Sequence, residues 1–406
     1  TYILFVLGKY LTSLNELFTC CDVRDPVMKK NLLSLVSVLI ALFSLAQPPQ
    51  SNGVSNGIKF NNFVETTVVL DSVQLQLMEK DEIPVADDVK QLNESEGRQQ
   101  NNFKKEADVY KARKVALKSN STSRSASDSE EVQLQHSVTK LKGLAQTQSE
   151  QIEANILYYD QGNFNADRAT ELNEALRLNP NHPEGLRLRV ANSLVIGDTL
   201  TVLTTLNRIE SLGLTPQAIR CYASDLINSV PNQTTLITHG TLDTYYEFYE
   251  QQLAQKKAIT IISLDLLQSQ QYRALLLKKG YSIPVQPTVD VTYLGDFIRI
   301  NPTTKFAFSM TIPREYLLQF EQDIVPNGLV FLYPNTMDEA QVLLNNEQFM
   351  DSFSYLDCGE ALDETVSALK QNYLPMILTV ETLSTDKSKE KRSKIENKKY
   401  KIRPKK

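Results

Sequence analysis

The sequence predicts an α+β multidomain chain: a short α-solenoid of helical hairpins, then an α/β domain with a mainly parallel sheet. Two patterns carry this reading. From Val132 onward apolar residues recur at spacings of three, four and seven, the mark of helices with one buried face. Beyond Pro231 short apolar runs alternate with helical stretches, which implies parallel strands joined by right-handed crossovers.

The first element of the chain is an address. Met28-Lys29-Lys30 is a positive start, and Leu32 to Leu45 is a 14-residue apolar run interrupted only by serines. Ser44 and Ala46 place small residues ahead of a cut at Gln47, completing the three parts of a signal peptide over 28–46. The run is shorter than the roughly 20 apolar residues a membrane-spanning helix needs, so no transmembrane anchor is expected. Residues 1–27 read as an upstream segment outside the native protein. The mature chain is expected to be exported, to the periplasm or the outer surface of a bacterial envelope.

Residues 47–78 form an N-terminal segment with short strands, in which Val73, Leu75 and Leu77 alternate with polar residues. Residues 79–130 are rich in Asn, Gln, Ser, Lys and Glu, with too little apolar surface to offset chain entropy, and read as a disordered linker. The helical region spans 131–230. Leu134, Val138, Leu141, Ile152 and Ile156 share one face; Ala166 to Leu178 is a helix closed by Pro180. Pro183 opens another helix, Asp198 caps a third, and Thr215-Pro216 starts a fourth. In the α/β domain, 231–380, strands are expected at Thr234–Thr238, Ala258–Ser263, Lys305–Met310 and Leu329–Leu332. Helices are expected at Asp243–Gln255, Ser269–Lys279 and Arg314–Glu321.

The net charge of −5 hides an asymmetry, since Asp386 to Lys406 carries 11 basic residues against 3 acids and leaves an acidic body. Residues 381–406 read as a basic disordered tail, either solvated or touching anionic surfaces. A nucleic-acid role is not expected, because the folded surface of such a protein is itself basic.

Two resemblances narrow the reading. Tyr159, Gly162, Ala175 and Pro180 stand at spacings similar to the tetratricopeptide-repeat consensus, which implies helical hairpins that bind protein partners. The run Val230-Pro231-Asn-Gln-Thr-Thr-Leu-Ile-Thr-His-Gly-Thr-Leu-Asp-Thr-Tyr-Tyr resembles the soluble extracytoplasmic domain of bacterial membrane glycosyltransferase-like proteins related to the protein O-mannosyltransferases. Ala258-Ile-Thr-Ile-Ile-Ser-Leu-Asp-Leu-Leu with Tyr272, then Thr304-Lys-Phe-Ala-Phe-Ser-Met-Thr-Ile and Asn327-Gly-Leu-Val-Phe, extend it over about 110 residues. Only Asp243 is retained of that family's acidic turn, and the catalytic membrane bundle is absent, so the resemblance does not carry transferase activity. Exported repeat proteins of this kind look typical of the Bacteroidetes.

Ligands of open parallel sheets bind in the crevice at the carboxyl ends of the strands. His239, Asp243, Glu247 and Asp265 are therefore the candidate ligand-binding residues, for a sugar or a peptide. Structural duties compete: Asp243 as a helix cap and His239 filling a turn. Tyr245, Tyr246, Phe248 and Tyr249 serve either carbohydrate stacking or packing against the helical region. Cys221 and Cys358 either pair in an oxidising compartment or stay two buried thiols. His136, His182 and His239 are too widely spaced for a zinc site, and no catalytic constellation or cofactor motif is present. The expectation is a non-catalytic envelope scaffold with a protein partner. The alternative is an accessory or degenerate relative of an envelope glycosyltransferase that binds glycan.

Overall fold

The computed structural model describes residues 94–118, 120–255, 258–354, 369–385 and 388–402, all within one compact unit, Gly57–Lys406. The expected upstream segment, the expected signal peptide and the expected 47–78 strands, with Cys358, lie outside the described residues. No described helix is long and apolar enough to cross a membrane.

The chain is α+β and helix-rich, with fourteen α-helices and five strands among the described residues. The helices preceding the sheet are α1 (Glu94–Lys118), α2 (Asp128–Leu144), α3 (Gln148–Gln161), α4 (Ala169–Leu178), α5 (Pro183–Ile196), α6 (Thr199–Ser211) and α7 (Gln217–Ser229). Then come β1 (Thr235–Thr238), α8 (Thr241–Leu253), β2 (Thr260–Ser263), α9 (Gln270–Lys278), α10 (Val291–Ile300) and β3 (Phe306–Ser309). The remainder is α11 (Arg314–Leu317), β4 (Val325–Asn327), β5 (Val330–Tyr333), α12 (Glu339–Ser352), α13 (Leu374–Leu383) and α14 (Lys389–Ile402).

Local chemistry sets the boundaries. Ser127 and Thr147 each accept the amide of the residue three ahead, while Glu130 and Glu150 reach back, so two capping boxes start α2 and α3. Asp198 caps α6 through the Thr201 amide, and Gly197 ends α5 in a left-handed conformation at φ 78°.

The sheet runs β2-β1-β3-β5-β4. β1 pairs parallel with β2 and β3, whereas β5 is antiparallel to both β3 and β4. It is thus mixed, correcting the mainly parallel expectation. The physical reason is the two-residue link Gly328-Leu329, which can only join antiparallel strands. The strands are short and rich in Thr, Ile and Phe, side chains that suit a pleated, buried surface. Alternate residues face opposite sides: Ile237, Ile262, Phe306, Phe308 and Phe331 enter one core, and Leu236, Ala307 and Val330 the other. The first core continues without a break into α3–α6, through Tyr159, Leu172, Val190 and Leu206. The second is closed by α7, α12 and α13, with Ile227, Met350 and Met376.

Parts of two stretches read as disordered are helical among the described residues. α1 replaces part of the 79–130 linker: Phe103, Ala107 and Tyr110 lie on one seam and bury against Leu134, Val138 and Leu157. A seam that narrow needs few apolar residues, so composition alone missed it. The basic tail forms α14, which buries Ile395 and pairs Lys391 with Glu347, Lys394 with Asp351 and Lys399 with Glu381. Part of its positive charge is therefore neutralised within the molecule.

Candidate functional site

The carboxyl ends of the three parallel-paired strands deliver polar residues to one place. β1 runs into His239, β2 into Asp265, and β3 into Thr311. All three are buried.

Asp243 stands in the first turn of α8. Its Oδ1 accepts the amides of Gly240 at 3.0 Å and Thr244 at 2.9 Å. Its Oδ2 accepts the His239 amide at 3.1 Å and the Thr311 hydroxyl at 2.6 Å. These four bonds favour the carboxylate, yet burial outweighs them and pushes its pKa up to about 6. Thr244 adds a bond to the Gly240 carbonyl, as does Ser263, so the turn between β1 and α8 is tied from both sides.

His239 and Asp265 meet a residue that sequence reasoning did not single out. Arg124 belongs to an arm, residues 120–127, between α1 and α2. Its Nε donates to Asp265 Oδ1 at 2.5 Å, and its Nη1 lies 3.0 Å from His239 Nε2. The side chains of Arg124 and Asp265 are 1% and 3% exposed. A guanidinium only donates, so Nε2 is the acceptor and the neutral imidazole carries its proton on Nδ1. Burial, reinforced by the Arg124 charge, holds His239 well below the usual histidine range. Tyr316 stands edge-on to His239 with ring centroids 6.4 Å apart, and burial raises its hydroxyl well above the usual value. His239 Nδ1, Asp265 Oδ2 and the Tyr316 hydroxyl are buried without a hydrogen-bond partner among the described residues. A cavity of about 20 Å³, lined by Arg124, Asp265, Lys114, Asp160 and Glu131 among others, adjoins the pair.

The arm is held by its backbone. The Arg124 amide donates to Val289 O at 2.8 Å, the Val291 amide to Thr122 O at 3.2 Å, and the Val289 amide to Ser125 Oγ at 2.9 Å.

Glu247 is buried one turn beyond Asp243. Its charge bears on Tyr222 of α7, whose hydroxyl is pushed up by burial first and Glu247 second. Three of the four candidate residues thus share one strand-end cluster, and Glu247 stands one turn further along α8. In the aromatic run, Tyr245 and Tyr246 are buried while Phe248 and Tyr249 pack on the first core. Tyr249 donates to Asn207 of α6 at 2.8 Å. All four take part in core packing, Tyr246 in the second core and the other three in or against the first.

Comparison with protein-family models, curated proteins and solved structures gives no match. The geometry therefore speaks alone. The lone pair of His239 that would take a proton in general-base chemistry is spent on Arg124, and both Asp243 oxygens are spent on hydrogen bonds. No group of three or more His, Cys, Asp or Glu among the described residues could hold a metal ion. Cys221 on α7 is disulfide-bonded; the other three cysteines lie outside the described residues.

Arg124 carried no signal in the sequence, standing in a serine-rich run without apolar periodicity. Thr311 and Tyr316 were equally silent, because only the sheet's strand order brings them to His239.

Proposed function

We propose that this chain is a non-catalytic interaction protein of a bacterial envelope, exported by the 28–46 signal, that binds a protein partner through its helical hairpins. The observation that carries the reading is Arg124: the one crevice where an α/β sheet ordinarily does chemistry is filled by the chain's own guanidinium. Helices α2 to α6 pack each against the next, in the manner of tetratricopeptide hairpins, and the α5–α6 turn leaves Ile196 and Leu200 at 52% and 73% exposure. Isolated apolar residues on a surface are ordinary; two at one turn make the first place to test. Affinity capture under gentle crosslinking should recover an envelope protein with the wild type and lose it with Leu200→Glu at unchanged melting temperature. Equal recovery with both chains, or none with either, counts against the reading.

A second reading, a glycan-binding relative of an envelope glycosyltransferase, is favoured by a different feature. A groove of about 710 Å³ between α10 and the α11–β5 region presents Asp296, Arg299, Glu315, Gln319, Asp323 and Tyr333. Carboxylates, amides and an aromatic face are the groups that orient sugars in a concave site. Glycan-array binding lost on Tyr333→Ala would support this reading; an unchanged array pattern would remove it.

A further inference from the structure

We propose that the strand-end cluster is a guanidinium-binding site, with Arg124 as its tethered occupant and an arginine of a partner protein as the ligand that replaces it. The site's chemistry stands on the geometry alone; the partner's identity as a protein rests on the interaction reading above.

The cluster has the groups a guanidinium requires. Asp265 supplies a carboxylate, His239 Nε2 a neutral acceptor, and both are nine-tenths or more buried. A planar fork of N–H donors is the side chain that matches a carboxylate edge-on with two bonds. Arg124 fills this role incompletely. It approaches Asp265 through Nε onto Oδ1, and Oδ2 accepts nothing from the described residues. The Tyr316 hydroxyl, buried without a partner among the described residues, belongs to the ring that stands edge-on to His239. Buried polar atoms are nearly always paired in a native structure, and each exception asks for an explanation. Unspent capacity beside a bound guanidinium is what a site shaped for an untethered guanidinium leaves when a short arm fills it.

The occupant is attached in a way that allows exchange. Between α1 and α2 the arm contributes a serine-rich loop with Ala126 as its one apolar residue, and an isolated two-residue bridge from Ser123 to Asp290 as its ladder. Helices α1 and α2 sit on a separate small core with one side of α3, so lifting the arm need not open either of the large cores. An incoming arginine competes with an intramolecular one at high effective concentration. The free site is therefore best read where the tether is cut at the side chain.

The test is chemical rescue. Arg124→Ala is titrated with methylguanidinium, with ethylammonium at equal ionic strength as the control for charge alone. Methylguanidinium should raise the melting temperature saturably, on the order of 5 °C near saturation. Ethylammonium should not, and Arg124→Ala with Asp265→Asn should respond to neither. Where Arg124→Ala does not fold unaided, the readout is refolding: recovery of the folded fraction with methylguanidinium and not with ethylammonium. Absence of a saturable difference between the two cations overturns the proposal. A short peptide carrying one arginine, against the same peptide with lysine, then tests the source. Rescue by the arginine peptide supports a partner's side chain; rescue by methylguanidinium only overturns that part and assigns the site to a small guanidinium compound. Failure of partner capture with intact rescue leaves the site standing and removes the interaction reading.

Discussion

At the scale of single residues, the cluster makes opposite demands on its two titrating groups. Asp243 has its folded pKa raised to about 6 from an ordinary 3.8, so the folded chain holds the proton more tightly over that interval. Its contribution to stability therefore grows as pH falls from about 6 toward 4. His239 has its folded pKa lowered below the ordinary 6.5, so the unfolded chain takes the proton first. Its contribution is present above pH 6.5 and is lost as pH falls below it. The two nearly oppose each other across the mildly acidic range. Asp243→Asn removes one side of the balance: between pH 6 and 4 the variant should lose stability more steeply than the wild type. Urea midpoints at half-unit pH intervals measure this, and parallel curves would mean that Asp243 does not titrate in the window.

At the scale of elements, the turn Gly328-Leu329 shows how one residue type fixes a strand's direction. Gly328 adopts φ 64°, and a Cβ there would stand 2.3 Å from Ser229 Oγ. The same Ser229 Oγ accepts the Leu329 amide at 2.9 Å, and Asn346 Oδ1 accepts the Gly328 amide at 2.9 Å. The hairpin, the end of α7 and α12 are thus pinned at one point. Gly328→Ala brings left-handed strain and a collision together, and should cost about 1–3 kcal/mol, read as a lower denaturant midpoint at unchanged slope. This turn also marks the limit of what the sequence disclosed. The runs Thr235–Thr238, Thr260–Ser263, Phe306–Ser309 and Val330–Tyr333 were legible as strands because four or more apolar or β-branched residues stand between polar turns. The direction of the last was not, because direction is a property of the connection. Likewise His239, Asp243 and Asp265 were legible as strand-end and cap residues, by position. Arg124 was not, because its role depends on a fold-wide contact, 141 residues away in sequence from Asp265. α1 and α14 were hidden by composition: a few apolar residues on a narrow seam, or one Ile395 with three ion pairs, order a helix that averages as polar.

At the scale of the molecule, the helical hairpins and the sheet share one core, and this sets how the chain unfolds. Leu188, Val195, Leu206 and Ile209 of α5 and α6 belong to the same cluster as Ile237, Tyr245 and Tyr272 of the sheet region. Gly197 ends α5 so close to α9 that a Cβ would meet Leu275 at 3.2 Å. A helical array that stood alone would carry its stability in contacts between neighbouring repeats and keep it when excised. Here the face that would complete those contacts is covered by α8 and α9, and excision would expose it to water at a cost proportional to its apolar area. The fragment 131–230 should therefore show helical far-ultraviolet dichroism without a cooperative melt. The whole chain should lose its helical and tyrosine near-ultraviolet signals in one coincident transition. A cooperative melt from the isolated fragment, or two separated transitions in the whole chain, would mean that the hairpins form a domain of their own and only lean on the sheet.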